Sequence, residues 1–183
     1  MTTDKPPAEA TGTGSGGAPG FPSRNALAAA SAAIVVLDQV TKQMVRAGVA
    51  LHDSVEVIPG LLNLVHVRNT GAAFGFLNLA DLPYKRVLMT GMALLALAAV
   101  GWFASQVGPR AVLARAGLAL IVGGAVGNLI DRALVGYVVD FVDVYWGSVH
   151  FWAFNVADSA ITVGAGLLIL DLIRSPDDVS TAG

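Results

Sequence analysis

The chain contains no cysteine, which excludes disulfides, thiol nucleophiles and cysteine metal sites together. Charge is also scarce: 13% of the 183 residues are Asp, Glu, Lys or Arg, about half of the roughly 25% usual in soluble domains. Nor is positive charge in excess. The formal net charge of −2 gives no electrostatic reason to expect a nucleic-acid partner. His52, His66 and His150 lie far apart and form no H-x-x-x-H pair, so the zinc-protease motif H-E-x-x-H is absent. No internal repeat relates the two halves, which weakens an inverted-repeat transporter. What remains is apolar. With 55% hydrophobic residues and a mean hydropathy of +0.66, the composition is that of an integral membrane protein.

Residues 1–24, rich in Thr, Gly, Pro, Ala and Ser, cannot bury enough apolar surface to offset the entropy of ordering, and read as a disordered tail. The first apolar run starts only near Ala26, too late for a cleaved secretory signal, so the tail is expected to be retained. Four spans follow, at about 25–47, 87–107, 111–134 and 152–173. The second carries no charge and reads as scaffold. Between 48 and 82 the helical period gives way to strand-like runs around the turn signal Pro59-Gly60, and a small sheet is expected there. The loop Asn69-Thr-Gly-Ala-Ala-Phe-Gly75 places small residues, Gly71 among them, beside a donor–acceptor side chain. That combination allows close backbone approach to an extended peptide. Trp146, Trp152, Tyr145 and Phe151 gather before the fourth span as an interfacial aromatic belt does. Residues 175–183 form a short acidic tail. Four spans put both termini on one side. The positive-inside rule does not say which side, because the eleven Lys and Arg divide almost evenly between the two.

Ionisable groups at membrane depth are expensive and by default mark a site. Asp38 and Lys42 share a helix face. The pattern favours an ordinary boundary pair with Lys42 snorkelling outward, over an Asp38 that orients active-site groups. Asp131, beside Arg132 and one turn after Asn128, reads as half of a structural ion pair with that arginine. Asp140 lies among Val138, Val139, Phe141 and Val142, an apolar setting that raises a carboxyl pKa. Asp143, nearer to water, has the weaker claim. Asp158 follows Asn155 in the first turns of the fourth span, where the helix N-terminus favours negative charge. One carboxyl pushed toward protonation and one toward ionisation is the division of labour in an aspartic protease. On spacing alone, Asp140 and Asp158 could instead cap helices, or relay protons in a small proton-coupled transporter.

Leu37-Asp-Gln-Val-Thr-Lys42, Asn69-Thr-Gly-Ala-Ala-Phe74, Gly123 through Arg132 with Val138-Val-Asp-Phe141, and Phe154-Asn-Val-Ala-Asp158 resemble, in order, the boxes of lipoprotein signal peptidase (signal peptidase II) over about residues 25–174. The resemblance implies a membrane all-α fold of four transmembrane helices. A small extracytoplasmic β-sheet would form a cradle between helices 1 and 2, with a lid-like element over a lipid groove. It implies a bacterial inner-membrane aspartic endopeptidase, both termini cytoplasmic, with its site near the extracytoplasmic face. The reaction implied is removal of the signal peptide from diacylglyceryl-modified prolipoproteins, just before the lipidated cysteine. Asp140 and Asp158 match the catalytic dyad. Asn69, Gly71, Asn128, Arg132, Asn155 and Ala157 match site-lining positions, and Asp38, Lys42 and Asp131 supporting ones. No metal or cofactor is expected. The implied partners are prolipoprotein substrate, membrane lipid and globomycin-type cyclic peptides, not nucleic acid, and the chain is expected to be a monomer.

Overall fold

In the computed structural model, residues 22–71 and 84–174 are described. The tails at 1–21 and 175–183, most of the Asn69–Gly75 loop and the lid-like element expected near it lie outside these residues. The elements run α1 (Arg24–Gly48), β1 (Ser54–Ile58), β2 (Leu62–Asn69), α2 (Lys85–Gln106), α3 (Val112–Leu134), β3 (Val138–Trp146), β4 (Val149–His150) and α4 (Val156–Arg174). Among the described residues, three helices, α2, α3 and α4, are long and apolar enough to cross a membrane. α2 buries no residue at all, and Leu95 and Trp102 on it are 74% and 70% exposed, a surface tolerable against lipid but not against water. α1 is as long, yet its inward stripe is Asp38, Lys42 and Val45 while Val36, Leu37, Val40 and Met44 point outward.

α3 is the hub, packed on α1, α2 and α4. Small residues allow it. A Cβ on Gly117 would meet the Gly164 carbonyl oxygen at 2.5 Å, and one on Gly164 would meet that of Gly117 at the same distance, so α3 and α4 touch backbone to backbone. Ser31 Oγ donates to the Ala119 carbonyl at 2.7 Å, tying α1 to α3.

The sheet is larger than the 48–82 segment. Four antiparallel strands lie in the order β1-β2-β3-β4, so half of them come from the 135–151 connection, which was expected only as a link between spans. The signal was present in that stretch: Val138, Val139, Val142 and Val144 are β-branched residues that suit a pleated surface. The Pro59-Gly60 turn forms as read, with Gly60 at φ 75°. Val139 (fully buried), Phe141, Val45 and Val49 form a small core that fixes β3 on the C-terminal half of α1. The fourth helix starts four residues later than the expected 152, because Phe154 pairs with β3. Its carbonyl accepts from Phe141 N and Val142 N, and its N–H donates to the Val142 carbonyl. That bridge delivers Asn155 next to Asp140.

Candidate active site

Asp140 points from β3 and Asp158 from the first turn of α4 into one groove of about 520 Å³, lined also by Asn69, Phe151, Trp152, Ser159 and Thr162. Asn155 links the two carboxylates. Its Nδ2 donates to Asp140 Oδ1 at 2.8 Å, and its backbone N–H donates to Asp158 Oδ2 at 3.2 Å. In return Asp158 N–H donates to Asn155 Oδ1 at 2.9 Å. This reciprocal pair is a capping box, with Asn155 as N-cap of α4 and an aspartate at the third helical position. One motif thus starts the helix and locks the Asp158 rotamer.

Each carboxylate has a second amide donor. Asn128 Nδ2 on α3 reaches Asp158 Oδ1 at 2.8 Å, and Asn69 Nδ2 at the end of β2 reaches Asp140 Oδ2 at 3.0 Å. Asn69 is oriented by Gly71, whose N–H donates to Asn69 Oδ1 at 2.9 Å. Gly71 holds φ 88°, and a Cβ there would meet Met89 Sδ at 2.6 Å, so the turn requires glycine. Asp140 is 3% exposed. Burial, countered in part by the Asn69 hydrogen bond and reinforced by the Asp158 charge, raises its pKa from 3.8 to about 6. Negative charge at Asp158 is complemented by the N-terminus of α4.

Beneath the pair lies a buried ionic network. Lys42 is fully buried, with Nζ 2.7 Å from Asp38 Oδ2, 3.0 Å from Asp131 Oδ2 and 3.0 Å from Asn128 Oδ1. It does not snorkel to a boundary. Small neighbours on α3, Gly127 above all, let α1 approach so closely that water is excluded. The pair therefore lies inside the bundle, not at its water boundary. Asp38 Oδ1 accepts from the backbone N–H of Ala157 at 3.0 Å, satisfying an orphan donor in the first turn of α4 and fixing where Asp158 stands. Ala157 is fully buried and contributes backbone, not side chain. Asp131 is paired as expected but with other partners: Lys42 and, at 2.9 Å, Arg46 Nη2. Sequence neighbours on a helix do not face each other, so Arg132 points elsewhere, its Nη1 donating to the Asn128 carbonyl at 3.3 Å. Arg46 was missed. It falls four residues after Lys42 and eight after Asp38, so the helical period alone would have put it on the same face. Gln39 was missed as well, and ties Asp38 Oδ2 to the Gly127 carbonyl. Asp143 sits apart, held by His150 Nδ1 at 2.9 Å and Asn63 Nδ2 at 3.1 Å.

Residues 30–174 match the family model described as signal peptidase (SPase) II. The chain belongs to the signal peptidase II family. It is thereby an enzyme, an aspartic peptidase. Among signal peptidase II relatives, the lipoprotein signal peptidase of Maridesulfovibrio salexigens is 47% identical over 145 residues, covering 79% of this chain and 93% of that one. The lipoprotein signal peptidase of Geobacter metallireducens is 47% identical over 144 residues, covering 79% and 88%. A bacterial membrane enzyme solved by the in meso method at 1.9 Å resolution superposes with a TM-score of 0.72 at 33% identity, covering 83% of this chain and 95% of that one.

Proposed function

We propose that the chain removes the signal peptide from diacylglyceryl-modified prolipoproteins, cutting before the lipidated cysteine, with Asp140 and Asp158 as the dyad. The observation that carries this reading is the sharing of Asn155 by two carboxylates of unequal environment at one groove. Asp140, whose carboxyl is pushed toward the protonated form by burial, is the proton donor of the pair. Asp158 is the base. It takes a proton from water, the water oxygen attacks the scissile carbonyl carbon, and Asp140 gives its proton to the carbonyl oxygen. When the C–N bond breaks, Asp158 returns its proton to the leaving amine and Asp140 recovers its own.

The supporting residues act through position. Asn69, Gly71, Asn128 and Asn155 hold the two carboxylates, while Asp38, Lys42, Asp131 and the Ala157 backbone hold the start of α4. Arg132 stiffens the end of α3. α1 serves as the fourth span: its outward face is apolar and its charged stripe is turned into the bundle. Residues 25–174 then form one transmembrane peptidase domain in the bacterial inner membrane, a monomer with tails 1–24 and 175–183 cytoplasmic. The sheet and dyad stand at the extracytoplasmic face, where exposed Trp146, Phe151 and Trp152 anchor the groove at headgroup depth. A substrate anchored by its own helix and lipid presents its cleavage site at that depth and arrives sideways through the bilayer. Globomycin-type cyclic peptides would occupy the same groove.

Purified enzyme in detergent is expected to cleave a diacylglyceryl prolipoprotein and to be blocked by globomycin. Equal cleavage of the precursor without its lipid would refute the substrate assignment.

A further inference from the structure

At the other end of the bundle, the N-terminal parts of α1 and α3, with Ala104 of α2, frame a second cavity of about 230 Å³. Its walls are apolar, with Leu27, Leu118, Ala119 and Val122, and it is bordered by two guanidinium side chains, Arg24 and Arg115. Arg24 opens α1 and Arg115 lies one turn into α3. Neither helix has an acidic residue in its first turn, and among the described residues neither arginine forms an ion pair. Arg115 Nη1 donates a long hydrogen bond, 3.3 Å, to the Pro109 carbonyl. The polar group at the floor is already satisfied, since Ser31 Oγ is bound to the Ala119 and Leu27 carbonyls. Fourteen residues of α1 separate Arg24 from Asp38, about 21 Å of helix rise, so this cavity is not part of the catalytic groove.

Two guanidiniums without carboxylate partners among the described residues call for an anion, and the groove between them calls for hydrocarbon. An anionic phospholipid supplies both. A free phosphate would leave the groove to water, and a zwitterionic lipid would bring its own cation against the arginines. We propose that this cavity binds one anionic phospholipid of the leaflet opposite the catalytic groove, its phosphate between Arg24 and Arg115 and part of an acyl chain against Leu27, Leu118 and Val122. The site requires the helices to span a bilayer but is independent of which residues cut substrate.

The test is native mass spectrometry of the full chain in detergent, titrated with phosphatidylglycerol or phosphatidylcholine. The wild-type chain should retain one phosphatidylglycerol and hold phosphatidylcholine at least several-fold more weakly. Arg24→Gln with Arg115→Gln should weaken phosphatidylglycerol roughly fivefold per arginine, about 25-fold together, and leave phosphatidylcholine unchanged. Cleavage of lipidated precursor by the double variant should stay at the wild-type level, showing that the bundle is intact. Equal retention of the two lipids by the wild-type chain, or undiminished phosphatidylglycerol on the double variant, overturns the proposal. So does displacement of the lipid by an equivalent concentration of inorganic phosphate, which would assign the site to a bare anion. If the double variant loses cleavage, the lipid preference of the wild-type chain decides alone.

Discussion

Replacing Lys42 by methionine separates a buried ionic network from a boundary ion pair by magnitude. Nζ touches two carboxylates and an amide oxygen at 2.7–3.0 Å with no exposed surface. Removing one partner of a buried pair typically costs about 3–5 kcal/mol, because the remaining charge is left without compensation. Arg46 still neutralises Asp131 at 2.9 Å, so the uncompensated group is Asp38, which keeps its hydrogen bonds from Ala157 N–H and Gln39 but loses its cation. The loss should therefore fall at the lower end, about 3 kcal/mol. An exposed boundary pair would contribute at most about 1 kcal/mol. Unfolding by sodium dodecyl sulfate in mixed micelles measures the difference. Adding Asp38→Asn to Lys42→Met should recover part of the loss, since the stranded charge is gone while an oxygen remains for Ala157 N–H. A single variant within 1 kcal/mol of wild type, or a double variant less stable than the single, would refute the reasoning.

Other expectations follow from the same geometry. The folded-state pKa of Asp140, about 6, lies above the ordinary 3.8, so its burial costs nothing below pH 4 and destabilises the fold as pH rises toward 6. Asp140→Asn should gain stability relative to wild type by about 2 kcal/mol between pH 4 and pH 7, read from unfolding titrations at the two pH values; a flat difference would contradict the raised pKa. With Asp140 as the proton donor, wild-type cleavage should decline as pH rises through about 6, visible in a pH–rate profile. A Cβ at Gly127 would stand 2.6 Å from Asp38 Oδ2, so Gly127→Ala should displace Asp38 from Ala157 N–H and lower cleavage at least tenfold, with about 1–3 kcal/mol of stability lost. Asp143→Asn, outside the groove, should keep cleavage within about threefold of wild type, since it removes no group aimed at the reacting bond.

The apolar spans were legible because hydropathy and length act locally, and α2, α3 and α4 begin and end within a few residues of where the sequence puts them. The position of Asp158 in the first turn of α4 was legible for the same reason, although the capping box it forms with Asn155 was not read. β3 was not read as a strand, since its partner β2 is about 75 residues earlier and a short run of valines suits several conformations. The charge network was read with the wrong partners for the same reason. Adjacency in sequence suggested Asp131 with Arg132, but a helix turns neighbours apart and brings Lys42 and Arg46 from another helix. The burial of Lys42 depends on how closely α1 approaches α3, which glycines on α3 permit and no local pattern announces.

The central claim is that Asp140 and Asp158 act together on one peptide bond. Single-turnover cleavage of a diacylglyceryl prolipoprotein by wild type, Asp140→Asn and Asp158→Asn, each first shown to be folded in detergent, tests it most directly. Each variant should be slower by at least about 10²–10⁴. Cleavage by either one within a few-fold of wild type would remove that residue from the reaction and leave the shared Asn155 as architecture alone.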